Sequence, residues 1–165
     1  MGGKQAGILG LLTLLSKKHN ILSVASSCPD TISISNSLTI PTFTTIKDNK
    51  YRKHVSESDF IVCVHGREKV PLSYINMTKH GAINLHPYLY KYKGIDPINK
   101  AIKDNCFHAS VGCHYMTENY DEGKVILEKF INVTPTTSAI EIYNELYPLY
   151  VHVLSESLDI IESLH

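Results

Sequence analysis

Asn84 and His86 stand two apart in the run Ala82-Ile83-Asn84-Leu85-His86-Pro87. If that run is a strand, alternation puts both side chains on one face. Asparagine brings N–H donors and an acceptor oxygen; histidine brings a nitrogen that titrates near neutrality. Such a pair could polarise a carbonyl and pass a proton. A polar strand end with ordinary hydrogen bonds would look the same. Asp121 sits in the acidic loop Thr117-Glu118-Asn119-Tyr120-Asp121-Glu122-Gly123. Its carboxylate either folds back to orient His86 and favour its charged form, or it is solvated; the residues alone leave both readings open. His114, between Cys113 and Tyr115, reads as a structural histidine, since no metal-ligand partner stands at useful spacing. Arg67, after His65-Gly66, could hold a carboxylate or a phosphate, or cap the next helix. Gly2-Gly3-Lys4-Gln5-Ala6-Gly7 matches a dinucleotide turn poorly, because Lys4 stands where glycine is needed and no strand precedes it.

These residues need elements to hold them. Phe60 to Val64 is the clearest apolar strand, and Ala82 to Leu85 is another, ending at His86-Pro87. Ala109 to Met116 alternates as a strand, and Val125 to Phe130 reads as one more. Ile21 to Ala25 reads as a buried strand, and Leu38 to Phe43 as a weak one that Pro41 pushes to an edge. Helices are expected over Ala6–Ser16, Leu72–Met77 and Asp96–Lys103, the last with Asp96 as N-cap and Pro97 at the first helical position. Ser26 to Asn36 reads as a loop with some helix, and Asp48 to Lys53 as a charged surface stretch. Ser138 to Leu164 has apolar residues at helical spacing, and Pro148 should kink or split that helix. Strands alternating with helices imply a layered α/β domain with a mainly parallel sheet. In such sheets ligands bind beyond the carboxyl ends of strands. Arg67, His86 and the Asp121 loop all follow strand-like runs.

The chain has 165 residues, one domain's worth, with 43% hydrophobic and 19% charged residues. It therefore reads as globular rather than disordered. Sixteen basic residues balance sixteen acidic ones, which argues against a nucleic-acid partner held mainly through phosphates. A small anionic substrate needs only one or two local cations and stays open. Cys28, Cys63, Cys106 and Cys113 form no CxxC pair, so a reducing, cytoplasmic location fits. The apolar stretch Ile8–Leu15 is too short for a bilayer span, and no small-residue cleavage site separates it from Lys17-Lys18-His19.

The run from Gly81 to Phe130 resembles the 10-formyltetrahydrofolate-dependent formyltransferases, a family that includes glycinamide ribonucleotide transformylase, methionyl-tRNA formyltransferase and sugar N-formyltransferases. The resemblance rests on features in order. These are a strand ending Asn84-Leu85-His86-Pro87, then Tyr92-Lys93-Gly94, then Asp96-Pro97-Ile98 heading a helix. The strand Ser110 to Met116 and the loop Thr117 to Gly123 follow. It implies a single Rossmann-like catalytic domain over residues 1–165, with a mainly parallel sheet flanked by helices and a helical segment at 137–165. The family's hallmark is an Asn, a His two residues on and a distant loop Asp. It falls on Asn84, His86 and Asp121, which are thereby implied to be catalytic. Asn84 would stabilise the oxyanion that develops on the formyl oxygen. His86 would share that task or move a proton, and Asp121 would hold His86 and help relay the proton.

The co-substrate implied is 10-formyltetrahydrofolate, with no metal, held by Arg67, Glu68, Lys69 and Val70 and by Thr117, Glu118, Asn119 and Tyr120. The family usually has Ser-Leu-Leu-Pro after the His segment. Here Tyr88-Leu89-Tyr90-Lys91 stands instead, closer to the sugar-modifying branch, which implies an amine on a nucleotide-linked sugar met by Tyr88, Lys91 and Lys93. Glycinamide ribonucleotide, then methionyl-tRNA, are the alternative acceptors, and a non-catalytic member of the fold is a further reading. The family also opens on a hydrophobic strand before its glycine loop, and that first strand is missing here. The helix after Ser138 is expected to pack on the core, with a homodimer face as the alternative.

Overall fold

The computed structural model describes residues 4–135 and 138–164. Its elements run α1 (Lys4–Ser16), β1 (Val24–Ala25), α2 (Pro29–Ser37), β2 (Thr42–Phe43), α3 (Asn49–Ser56), β3 (Ile61–Val64), α4 (Leu72–Ile75), β4 (Ala82–Pro87), α5 (Pro97–Lys103), β5 (His108–Tyr115), β6 (Val125–Asn132) and α6 (Ala139–Glu162). The strands form a pair, β1-β2, and a four-stranded sheet in the order β3-β4-β5-β6. β1 runs parallel to β2 and β3 parallel to β4, while β5 and β6 add antiparallel. This is a Rossmann-like α/β fold, parallel on one side and closed by an antiparallel hairpin on the other. Gly2 and Gly3 of the glycine-rich start lie outside the described residues, as does any question of a strand before them; Gly7 is helical, within α1.

Two apolar layers sandwich the four-stranded sheet. On one face α6 buries Ile142, Leu146, Val153 and Leu154 against Ile83, Leu85, Val111 and Cys113, all at most 2% exposed. Each such buried aliphatic side chain contributes roughly 1.5–3 kcal/mol. On the other face Tyr51 and Val55 of α3 and Tyr74 and Ile75 of α4 cover Ile61 and Ala82. Alternation along β4 therefore assigns its residues by face: Ile83 and Leu85 go under α6, and Asn84 and His86 go to the opposite side.

Several local outcomes differ from the sequence reading. The stretch around Asp48 is a helix. Asp48 caps it by accepting from the Lys50 N–H at 2.7 Å, and Tyr51 and Val55, four residues apart, bury its inner face. The charges between those two residues hid the pattern. Residues 29–37 are likewise helical, with Pro29 opening α2. Pro148 does not split the last helix; α6 runs through it for 24 residues. The proline costs one backbone hydrogen bond to Asn144, but Leu146, Leu149, Tyr150 and Val153 on either side are all buried and hold both halves to the sheet. No helix among the described residues is long and apolar enough to cross a membrane.

Candidate active site

β4 lies inside the sheet, so its carboxyl end is fixed by a strand on each side. In the register with β5, Asn84 faces His114. Directly opposed residues share a face, so the sheet places His114 beside Asn84, 30 positions away in sequence. The chain leaves β5, turns through Thr117 to Tyr120 and returns Asp121 to the same spot. Asp121 has φ 53°, a left-handed conformation that aspartate tolerates better than most residues. Its side chain is 6% exposed.

The Asp121 carboxylate is the centre of the cluster. Oδ2 accepts from the Gly94 backbone N–H at 2.7 Å and lies 3.1 Å from His86 Nε2. Oδ1 lies 3.2 Å from His114 Nε2 and accepts from Asn84 Nδ2 at 3.3 Å. Burial alone would push the Asp121 carboxyl up. The hydrogen bond from His114, the neighbouring His86 and the Gly94 amide outweigh it and hold the group below its ordinary value. It is an ionised carboxylate whose lone pairs are nearly all committed.

The neighbours fix which imidazole nitrogens carry protons. His86 Nε2 also lies 3.0 Å from the Gly94 carbonyl. It faces two acceptors, so it bears a hydrogen and donates. Its Nδ1 is buried without a hydrogen-bond partner. His114 Nδ1 is 2.9 Å from the Tyr115 carbonyl and must donate to it. His114 Nε2 then either accepts from Asn84 Nδ2, 3.3 Å away, or, when protonated, donates to Asp121. Two imidazoles and an amide thus converge on one anion, the Asp121 carboxylate. The Asn84 bonds are long, as catalytic bonds often are before substrate arrives.

This cluster opens into a cavity of about 660 Å³ at the carboxyl ends of β3 and β4, within the size range of sites that enclose small molecules. Arg67, Glu68, Lys69 and Val70 line one wall, and Thr117, Glu118, Asn119 and Tyr120 line another. The two loops touch through Lys69, whose ammonium sits 5.0 Å from the Tyr120 ring centroid. Glu68 is occupied by the Thr45 hydroxyl and the Ile46 N–H, each at 2.7 Å, so it braces the wall rather than facing the cavity freely. Val70 is 2% exposed and its side chain belongs to the core.

The residues singled out for the acceptor lie elsewhere. Tyr88 is fully buried in the core and donates to the Cys106 carbonyl at 3.2 Å. Lys91 lies over the Tyr92 ring, and neither it nor Lys93 lines the cavity. The turn that carries them points outward because Tyr88 (φ 54°) is the residue that plugs the core. The cavity instead gains His65, Asp96 and Tyr143. His65 Nε2 and the Tyr150 hydroxyl are 2.8 Å apart, and its ring packs against Tyr143 at 5.2 Å. Sequence reasoning missed His114 and Tyr143. His114 needed the β4–β5 register, and Tyr143 looked like one more apolar position on α6.

Residues 36–158 match the sequence family described as Formyl transferase. The chain is similar to methionyl-tRNA formyltransferase of Lachnospira eligens, 30% identical over 107 residues, covering 64% of this chain and 34% of that protein. It is also similar to GDP-perosamine N-formyltransferase of Brucella melitensis, 29% identical over 89 residues, covering 53% of this chain and 34% of that one. It spans from about a third to three fifths of the length of the curated relatives it matches. Phosphoribosylglycinamide formyltransferase from Anaplasma phagocytophilum shares the fold, with a TM-score of 0.79 at 21% identity over 98% of this chain and 83% of that one. So does a formyltetrahydrofolate deformylase from Pseudomonas syringae, with a TM-score of 0.77 at 22% identity over 94% and 57%. With three quarters of its length inside the family match and the fold shared end to end, the chain belongs to the formyl transferase family.

Proposed function

We propose that this chain transfers the formyl group of 10-formyltetrahydrofolate to a primary amine, using Asn84, His86 and Asp121, and that the amine is carried by a nucleotide-linked amino sugar. The observation that supports the reaction best is the buried carboxylate of Asp121 holding Asn84, His86 and His114 at one spot. In formyl transfer the amine nitrogen bonds to the formyl carbon, negative charge grows on the formyl oxygen, and the bond to the carrier nitrogen breaks. The amine must lose a proton and the carrier nitrogen must gain one. Asn84 Nδ2 is the donor for the oxygen. His86, held by Asp121, is the group that passes the proton. The folate suits the wall formed by residues 67–70 and 117–120, where Met116 offers apolar surface beside the polar Arg67 and Asn119.

For the acceptor, Asp96, His65 and Tyr143 offer a carboxylate, an imidazole and an aromatic phenol on the same cavity. That combination of hydrogen-bonding groups and ring faces suits a sugar better than a macromolecule, and the balanced charge of the chain agrees. The test is a panel of nucleotide-linked amino sugars, glycinamide ribonucleotide and methionyl-tRNA, each supplied with 10-formyltetrahydrofolate, with folate product followed by absorbance. Turnover with the amino sugars is expected. Turnover confined to glycinamide ribonucleotide or to methionyl-tRNA would overturn the sugar assignment while keeping the reaction. Formate release with no amine needed would overturn transfer itself.

A further inference from the structure

Ile95 is the most exposed large apolar side chain among the described residues, 87% open to solvent, and it lines the cavity that holds Asp121 and His86. A single surface isoleucine is ordinary; one fixed at the mouth of a site by the bonds of the site itself is not. The preceding residue, Gly94, donates its N–H to Asp121 at 2.7 Å, and its carbonyl lies 3.0 Å from His86 Nε2. Gly94 has φ 78° and Asp96 φ 62°, so Ile95 is carried on a tip between two left-handed residues. Beyond it, the Asp96 carboxylate accepts from Asn99 Nδ2 at 2.7 Å and Pro97 opens α5. Both ends of the tip are tied down, and the apolar side chain is held out in water between them. Tyr120, which precedes Asp121 as Ile95 follows Gly94, is 61% exposed and lines the same cavity. The Gly94–Asp121 bond therefore joins two turns that each put an exposed apolar side chain on the cavity.

Resting on the transfer reading above, we infer that Ile95 decides whether the formyl carbon passes to the amine or to water. Water competes for the same carbon. Its oxygen bonds to that carbon and the bond to the carrier nitrogen breaks; one water proton passes to that nitrogen and the other is released with formate. Asn84 and Asp121 serve either nucleophile, because the charge that grows on the formyl oxygen is the same. The choice must come from what surrounds them. A water stays ordered only with two or more polar partners, and the Ile95 side chain offers none. When the cavity fills, the open face of Ile95 is covered, which takes apolar surface out of water and shuts the mouth beside the reacting carbon.

The test compares the chain with Ile95→Ser and Ile95→Leu, using 10-formyltetrahydrofolate labelled at the formyl carbon and the best amine of the panel. NMR reads formamide against formate, formate release is also followed without amine, and a thermal melt reads the fold. Ile95→Ser is expected to lower the formamide-to-formate ratio at least about tenfold, through faster formate release with and without amine. Ile95→Leu, which keeps the apolar volume, should stay within about threefold of the parent. An Ile95→Ser variant that keeps the parent's ratio would overturn this inference and leave formyl transfer standing. So would one that loses formamide without gaining formate, or an Ile95→Leu variant that falls as far as Ile95→Ser. A parent that forms no formamide with any amine overturns the transfer reading, and this inference with it.

Discussion

Asp121→Asn is the sharpest perturbation of the site, because it keeps the shape and removes the charge. The carboxylate accepts at both oxygens: Gly94 N–H and His86 at one, Asn84 and His114 at the other. An amide offers one acceptor oxygen. With that oxygen towards Gly94 and His86, its NH2 faces His114 Nε2, which can accept, and Asn84 Nδ2, which cannot. One charge-assisted network becomes a neutral one with a single mismatch, costing roughly 1–3 kcal/mol of stability and a few degrees in Tm. Turnover should suffer more. At 3.1 Å, an effective dielectric of about 20 gives roughly 5 kcal/mol of attraction between the carboxylate and a protonated His86. Relaxation and water reduce that, and a loss of about 10²–10⁴ in kcat is expected. The assay is steady-state turnover of 10-formyltetrahydrofolate with the best amine of the panel, beside a thermal melt. A variant that melts within a few degrees of the parent yet keeps kcat within about tenfold would refute the reasoning.

His114→Phe keeps a ring but removes both nitrogens, leaving Asp121 and the Tyr115 carbonyl each short of a donor; kcat should fall at least about tenfold, measured in the same assay. Gly94→Ala places a Cβ at φ +78°, a conformation that favours glycine. The segment whose N–H and C=O hold Asp121 and His86 must shift, so turnover should drop by about 10- to 100-fold with a melt near that of the parent. Gly123→Ala would bring a Cβ to 1.7 Å from the Tyr115 carbonyl oxygen; since backbone must move, reduced Tm and lost activity are expected together, read by melt and turnover. For pH, the Asp121 carboxyl is held below its ordinary 3.8. Its contribution is present above that value and is lost as pH falls through the lower folded value. Urea unfolding across the acid range should show that loss in the parent and not in Asp121→Asn.

The clustering of Asn84, His86 and Asp121 could be anticipated because the order Asn, His two on and a loop Asp is present in the linear chain. The strand alternation that puts Asn84 and His86 on one face was legible for the same reason, since period two is local. What was hidden depends on pairing. His114 joins the site only because β5 returns antiparallel in a register that opposes it to Asn84. Tyr88, Lys91 and Lys93 were placed at the acceptor by the departure of their segment from the family pattern. Nothing local reveals that Tyr88 turns inward as a core residue and carries the lysines away from the cavity. Helix α3 was masked by charge, with two buried positions among eight residues. Pro148 was overruled by packing that no propensity contains.

The most direct measurement of the central claim follows the formyl carbon itself. 10-Formyltetrahydrofolate carrying an isotopically labelled formyl carbon is mixed with the chain and an amine acceptor, and the label is located by NMR. The account expects the label in a new formamide on the amine, in step with folate release, and loss of that transfer in both Asn84→Ala and His86→Ala. Label that appears only as formate, or transfer that persists unchanged in His86→Ala, would contradict it.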